Sequence, residues 1–224
     1  MPAHPLLGVV TIGQTPRPDL AGAFAAHAAG ARIVVLGALD GLERDEIDRV
    51  AATPTACPLL VRLGDGSRRE IPLETLHPLV TRRARELAGL GARAVVVACA
   101  GDFPDVECDV PVLLPGRILP AMVSAVTRAR RIGVVTPIRA QAPAALRKWA
   151  ADGFDAVVTW ASPYVHAEMD AACDRMREPG LALVVLDCMG HDEAYAREFA
   201  ERTGKLVLAA QSVTARIAGE LVRG

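Results

Sequence analysis

The chain has 224 residues, 51% of them hydrophobic, with 25 Lys and Arg against 26 Asp and Glu and a formal net charge of −1. That size and apolar content are enough to bury a core as one large domain or two small lobes. A near-neutral charge without long blocks of one sign gives no electrostatic reason to expect nucleic acid or a membrane surface as a partner, so a small soluble ligand is the expectation.

Met1 to His4 carries no Lys or Arg and leads straight into a strand-like run, which does not read as a signal peptide. No apolar stretch nears the roughly 18 residues of a membrane span. The five cysteines (Cys57, Cys99, Cys108, Cys173, Cys188) are odd in number and lack the spacing of a disulfide scaffold. They fit a reducing compartment and thiols that stay reduced, so a cytoplasmic location is expected.

In chain order, Leu6 to Ile12 reads as a strand, Pro18 to Gly30 as an Ala-rich helix with proline at its start, and Arg32 to Leu36 as a second strand. Leu59 to Leu63 and Glu70 to Pro72 flank Gly64-Asp65-Gly66-Ser67, a hairpin signal. An amphipathic helix follows from Leu73 to Leu90, stopping at Gly91 before a strand that ends at Cys99. Val110 to Gly116 is short, apolar and proline-rich, and Arg117 to Arg130 reads as a helix. A new strand begins at Arg131, a further strand ends at Cys188, and Glu193 to Arg202 reads as a helix. Alternation of this kind predicts an α/β fold with mainly parallel sheets.

Two matches suggest duplication. Gly8-Val9-Val10-Thr11 recurs as Gly133-Val134-Val135-Thr136, and Val95-Val96-Val97-Ala98-Cys99-Ala100-Gly101 shares Val, Val, Cys and Gly at the same offsets with Val184-Val185-Leu186-Asp187-Cys188-Met189-Gly190. The expected division is residues 1–115 and residues 116–224, with the C-terminal helix free to cross over. A β-branched run stopping at glycine reads as a buried parallel strand entering its C-terminal loop, where open α/β sheets bind ligands.

Both cysteines precede expected helix starts, Asp102-Phe103-Pro104 and Gly190-His191-Asp192-Glu193, a setting that favours thiolate. Two such thiols facing one ligand can remove a proton from a carbon and return one from the opposite face. The plainer reading is packing, since free cysteine is often buried. Cys57 reads as loop or packing, Cys108 as part of an irregular segment, and Cys173 as a helix-face residue.

The segments Thr11 to Asp19, Leu36 to Asp40, Cys99 to Pro104, Gly116 to Pro120 and Leu186 to Gly190 together resemble the AroM protein family over nearly the whole chain. That family in turn resembles the aspartate/glutamate/hydantoin racemase superfamily. The resemblance implies two pseudo-symmetric Rossmann- or flavodoxin-like α/β lobes with an active-site crevice between them. One cysteine from each lobe would face the substrate carbon, without cofactor or metal. The superfamily also includes a decarboxylase and a cis-trans isomerase. Its amino-acid racemases follow the first cysteine with Asn-Thr and the second with Thr-His, where this chain has Ala100-Gly101 and Met189-Gly190.

Other candidate substrate-binding residues come from the loops after the two Gly-Val-Val-Thr strands: Gln14, Thr15 and Arg17 in the first, Thr136 and Gln141 in the second. Arg17 is the natural carboxylate partner. Asp102 reads as a helix cap or a contact for a ligand amine. His191 reads as a surface residue at a helix start or as a neighbour tuning Cys188. Asp187, alone in an apolar strand, needs a partner if buried. Arg117 suits an anion site or the junction of the lobes, and neither His77 nor His166 has partner spacing. No zinc-type spacing or phosphate-binding glycine loop is present.

The combined expectation is a cofactor-independent racemase- or epimerase-like isomerase of a small carboxylate-bearing compound, with Cys99 and Cys188 as its proton-transfer groups. The alternatives are a decarboxylase or lyase using mainly Cys188, or a non-catalytic small-molecule binding protein. A homodimer is compatible with the sequence.

Overall fold

Residues 4–223 are described by a computed structural model. Three sheets are present among them: β2-β1-β5-β6, all parallel; β10-β9-β7-β8, all parallel; and an antiparallel hairpin, β3-β4. The chain forms two compact units. One runs up to Cys99 and includes Phe103–Leu114 and the chain from Thr214 onward; the other takes Ala100–Asp102 and Pro115–Val213. The α/β architecture with parallel sheets agrees with the expectation.

In the first unit, β1 (Leu6–Thr11) is followed by α1 (Pro18–Ala25), β2 (Arg32–Gly37) and α2 (Arg44–Ala51). The hairpin β3 (Pro58–Arg62) and β4 (Arg68–Pro72) then leads into α3 (Leu73–Gly89), β5 (Ala92–Ala98) and β6 (Val112–Leu113). β1, and β5 beyond Arg93, are buried on both faces, as their apolar, Val-rich runs require. The long helix α3 buries Leu76, Val80, Ala84 and Leu87, a stripe at helical spacing. Each Leu or Val there contributes about 1.5–3 kcal/mol of burial. α1 is shorter than the expected Pro18 to Gly30, because the backbone tightens after Phe24, whose carbonyl accepts from both His27 and Ala28. Gly91, at φ +89, ends the α3 connection where it turns into β5.

In the second unit, α4 (Pro115–Val126) precedes β7 (Arg131–Thr136), a single 3-10 turn at Arg139–Gln141, α5 (Ala142–Ala151) and β8 (Asp155–Trp160). Then come α6 (Glu168–Met176), β9 (Val184–Leu186), α7 (Glu193–Thr203), β10 (Val207–Ala209) and α8 (Ala210–Leu221). α4 starts earlier and stops earlier than the expected Arg117 to Arg130. Pro115 suits a first helical position, and the Thr127 hydroxyl accepts from the Ala129 N–H beyond the helix end. From Thr214 on, α8 belongs to the first unit: a Cβ on Gly219 would lie 2.1 Å from the His27 carbonyl oxygen, so only glycine allows that approach.

The two four-stranded sheets have the same order when β1, β2, β5 and β6 are matched with β7, β8, β9 and β10. The repeated glycines explain themselves in this frame. A Cβ on Gly8 would lie 2.9 Å from Leu87 of α3, and one on Gly133 would lie 2.4 Å from Met176 of α6. In each unit the helix leading into the cysteine strand presses on its neighbour where glycine leaves room.

Candidate functional site

Cys99 and Cys188 occupy matching places in their sheets. β1 pairs with β5 so that Gly8 faces Val95, and β7 pairs with β9 so that Gly133 faces Val184. Each cysteine lies four residues beyond that valine. Both therefore sit at the carboxyl ends of parallel strands, the ligand-binding edge of an open α/β sheet. Cys99 is 6% exposed, while Cys188 is half-buried and its Sγ accepts from the Gly190 N–H at 3.3 Å.

The loop after β1 brings Thr11, Gln14, Thr15 and Arg17 together within the first unit. Arg17 is 7% exposed; its Nη1 donates to Thr11 Oγ1 at 3.1 Å, and its Nη2 and Nε donate to the Asp19 carboxylate. Burial pushes the Asp19 carboxyl up, but the hydrogen bonds and charge of Arg17 outweigh it and leave the group below its ordinary range. The amide of Gln14 braces neighbouring loops: Nε2 donates to the Leu39 and Leu42 carbonyls, and Oε1 accepts from the Gly64 N–H at 3.1 Å. Thr15 is held by Asp40, which accepts from its N–H at 2.8 Å and its hydroxyl at 2.9 Å. Asp40 also accepts from the Gly37 N–H, so one carboxylate ties the end of β2 to this loop.

In the second unit the loop after β7 is built differently. Thr136 Oγ1 donates to the Ile138 carbonyl at 3.0 Å, closing its own turn, and Gln141 ends the short 3-10 turn before α5. The Arg139 guanidinium lies over the half-exposed ring of Trp160, 5.3 Å from its centroid. Asp187, next to Cys188, has the partner its burial demands: Lys148 Nζ lies 3.0 and 3.1 Å from its two oxygens. Lys148 also donates to the Ala100 carbonyl at 2.7 Å, and the Trp149 indole N–H donates to Asp187 at 3.3 Å. Lys148 and Asp187 are 8% and 6% exposed. Gly116, at the start of α4, closes on the same loop: a Cβ there would lie 2.1 Å from the Gly101 carbonyl oxygen. The sequence carries no signal for this role of Lys148, since a lone lysine in an amphipathic helix reads as solvated.

Two expectations are corrected. No helix follows Cys99: residues 103–111 are irregular, with Phe103 and Val106 packed into the core between prolines and acidic residues. Asp102 is therefore exposed and caps nothing, and His77, given no partner from spacing, reaches the Asp105 carbonyl through Nε2 at 2.8 Å. After Cys188 a helix does begin, capped by Asp192, which accepts from the Tyr195 N–H. His191 is not on the surface. It is fully buried, and burial pushes its pKa down from 6.5 to about 4 although contact with the Ala161 carbonyl opposes this. Its Nε2 lies 2.9 Å from that carbonyl and so carries the proton, leaving the imidazole neutral at pH 7. Met189, also buried, has its carbonyl held by the Gln211 amide at 2.8 Å. Gly190 is packed against Pro163 and Tyr164, where a Cβ would lie 2.6 Å from Pro163 Cγ.

Among the described residues no group of three His, Cys, Asp or Glu could hold a metal ion, and no helix is long and apolar enough to cross a membrane. No curated protein matches the sequence. Solved structures share the fold. Allantoin racemase from Klebsiella pneumoniae superposes with a TM-score of 0.65 at 15% identity, covering 97% of this chain and 87% of that one. Arylmalonate decarboxylase gives 0.62 at 15% identity, over 98% and 93% of the two chains. Glutamate racemase from Aquifex pyrophilus gives 0.57 at 16% identity, over 94% and 81%. The two parallel sheets thus have the fold of these solved structures. The family model that matches, over residues 7–222, is that of the AroM protein, and the chain belongs to the AroM family.

Proposed function

We propose that this protein is a cofactor-independent isomerase of racemase or epimerase type, acting on a small carboxylate-bearing compound through Cys99 and Cys188. The observation that carries this reading is the common register of the two thiols, each four residues beyond the valine that faces a duplicated glycine. In the proposed reaction one cysteine thiolate takes the proton from the substrate Cα, forming S–H and leaving the electron pair on carbon. The other thiol gives its proton to the opposite face. The configuration inverts, and the two sulfurs exchange protonation states. General acid–base groups of this kind are worth about 10²–10⁴ each in rate.

Arg17 is the proposed cationic contact for the substrate carboxylate in the first unit, with Thr11 keeping its guanidinium in place. Ala100-Gly101 and Met189-Gly190 follow the cysteines where the amino-acid racemases carry Asn-Thr and Thr-His, and in the proposed site backbone N–H groups of Ala100, Gly101 and Met189 take over from those side chains, the Gly190 N–H being given to Cys188. Gln14 and Thr15 act by fixing the loop that holds Arg17, and Thr136 and Gln141 shape the corresponding loop of the second unit. The fold of the racemases and of arylmalonate decarboxylase supports this class of chemistry without naming the substrate.

The test is proton NMR in D2O with a panel of small 2-substituted carboxylates, following loss of the Cα proton. Isomerisation predicts exchange with at least one member of the panel and its loss in both Cys99→Ser and Cys188→Ser. A second reading, decarboxylation or another lyase reaction with Cys188 as sole proton donor, is favoured by the greater exposure of Cys188 and its Gly190 contact. It predicts that Cys99→Ser keeps much of its activity. Ligand binding without exchange, and thiols that alkylate no faster than ordinary exposed ones, would assign the protein to small-molecule binding.

A further inference from the structure

We infer that Lys148 is a positioning residue that ties together the loops carrying both cysteines. Its ammonium donates to the carbonyl of Ala100, the residue after Cys99, at 2.7 Å and contacts the carboxylate of Asp187, the residue before Cys188, at 3.0 Å. One buried cation thus holds the chain directly beside each thiol. The inference rests on the proposed function only in treating those two thiols as working groups.

The chemistry of the contacts supports a directional role over a stabilising one. A buried ion pair is at best weakly stabilising, because desolvation of both charges offsets their attraction. Yet every part of this pair is aimed. Asp187 receives Lys148 on both oxygens and the Trp149 indole on one, which leaves its carboxylate a single orientation. The Lys148 ammonium lies 5.2 Å from the centroid of the Trp149 ring, so the neighbour on the same helix holds it as well. In a trans peptide the C=O and the following N–H point in opposite directions. Anchoring the Ala100 carbonyl on Lys148 therefore turns the Gly101 N–H away from the lysine. The close approach of Gly116 to the Gly101 carbonyl holds the next peptide too. An apolar residue at 148 would leave Asp187 as an uncompensated buried charge and release the Ala100 carbonyl.

The experiment is the pH dependence of iodoacetamide alkylation at each cysteine, read by peptide mass spectrometry. It compares wild type, Lys148→Met, and Lys148→Met/Asp187→Asn, which removes both charges together and guards against misfolding of the single variant. The half-buried Cys57 and Cys108 serve as internal controls. The expected result is a change of at least threefold in the rate at pH 7, with a displaced pH midpoint, at both Cys99 and Cys188 while the controls stay unchanged. A response confined to Cys188, a response at neither thiol, or equal change at all four overturns the positioning role. Because alkylation needs no substrate, the two ideas fail separately. Coupled thiols without Cα exchange would defeat the isomerase alone, and Cα exchange without coupled thiols would defeat the role of Lys148 alone.

Discussion

After Gly8-Val9-Val10-Thr11 the chain continues Ile12 to Arg17 before α1; after Gly133-Val134-Val135-Thr136 it continues Pro137 to Ala142 before the body of α5. Counting from the repeated threonines, Gly13 corresponds to Ile138, Arg17 to Ala142, and Pro18 to Pro143. Thr11 accepts from Arg17, whereas Thr136 closes its own turn on Ile138. The strands and the helix start are retained, and the loop between them has been given different work. The same holds beyond the cysteines: three residues after Cys99 stands an exposed Asp102, and three after Cys188 a fully buried His191. The duplicated frame sets where the thiols lie, and the loops set how each is served.

The largest effect expected tests the symmetric part of this comparison. Cys99→Ser and Cys188→Ser should each lower Cα exchange by about 10²–10⁴, measured by NMR in D2O; a large loss in only one would make the halves functionally unequal. Next comes the asymmetry behind the cysteines. Between pH 6.5 and about 4 the unfolded chain binds a proton that buried His191 does not, so stability is fully present above pH 6.5 and falls as the pH drops toward 4. The loss is on the order of 3 kcal/mol, and urea unfolding of His191→Gln against wild type should show a correspondingly flatter pH dependence.

The loop after β1 offers the third comparison. A Cβ on Gly13 would lie 2.0 Å from the Arg62 carbonyl oxygen, so Gly13→Ala should cost about 1–3 kcal/mol in denaturant unfolding. Ile138→Ala, at the matching position, should cost less, about 1 kcal/mol. Arg17→Gln should raise KM about tenfold, near 1.4 kcal/mol, with kcat little changed. A fall in kcat at constant KM would instead make Arg17 a support for Thr11. Smallest is Gly22→Ala inside α1, where no atom lies within 4 Å of a new Cβ; a gain of about 0.5–1 kcal/mol is expected in the same unfolding assay.

The frame could be read from sequence because its physics is local. Parallel strands buried on both faces are written as Val- and Leu-rich runs, and Gly64-Asp65-Gly66-Ser67 marks a turn by composition. The site residues were harder for a physical reason. Asp187 could be recognised as needing a partner, but Lys148 lies 39 residues away and meets it only through the packing of α5 on β8 and β7, the latter paired with β9. His191 next to a helix start has the local signature of a surface residue, whereas in the fold its ring meets the Ala161 carbonyl and packs on Tyr195, which in turn stacks on Phe199. The missing helix after Cys99 follows from Pro104, Pro111 and a run of acidic residues, whose effect outweighs the resemblance to the segment after Cys188.

The most direct test of the two-thiol mechanism starts from one pure enantiomer of an accepted substrate in D2O and follows early turnover by NMR with chiral separation. Two cysteines on opposite faces predict that the product enantiomer carries deuterium from its first appearance while the remaining starting enantiomer stays protonated. Product that keeps the original proton, or exchange that persists unchanged in both Cys99→Ser and Cys188→Ser, would contradict the mechanism.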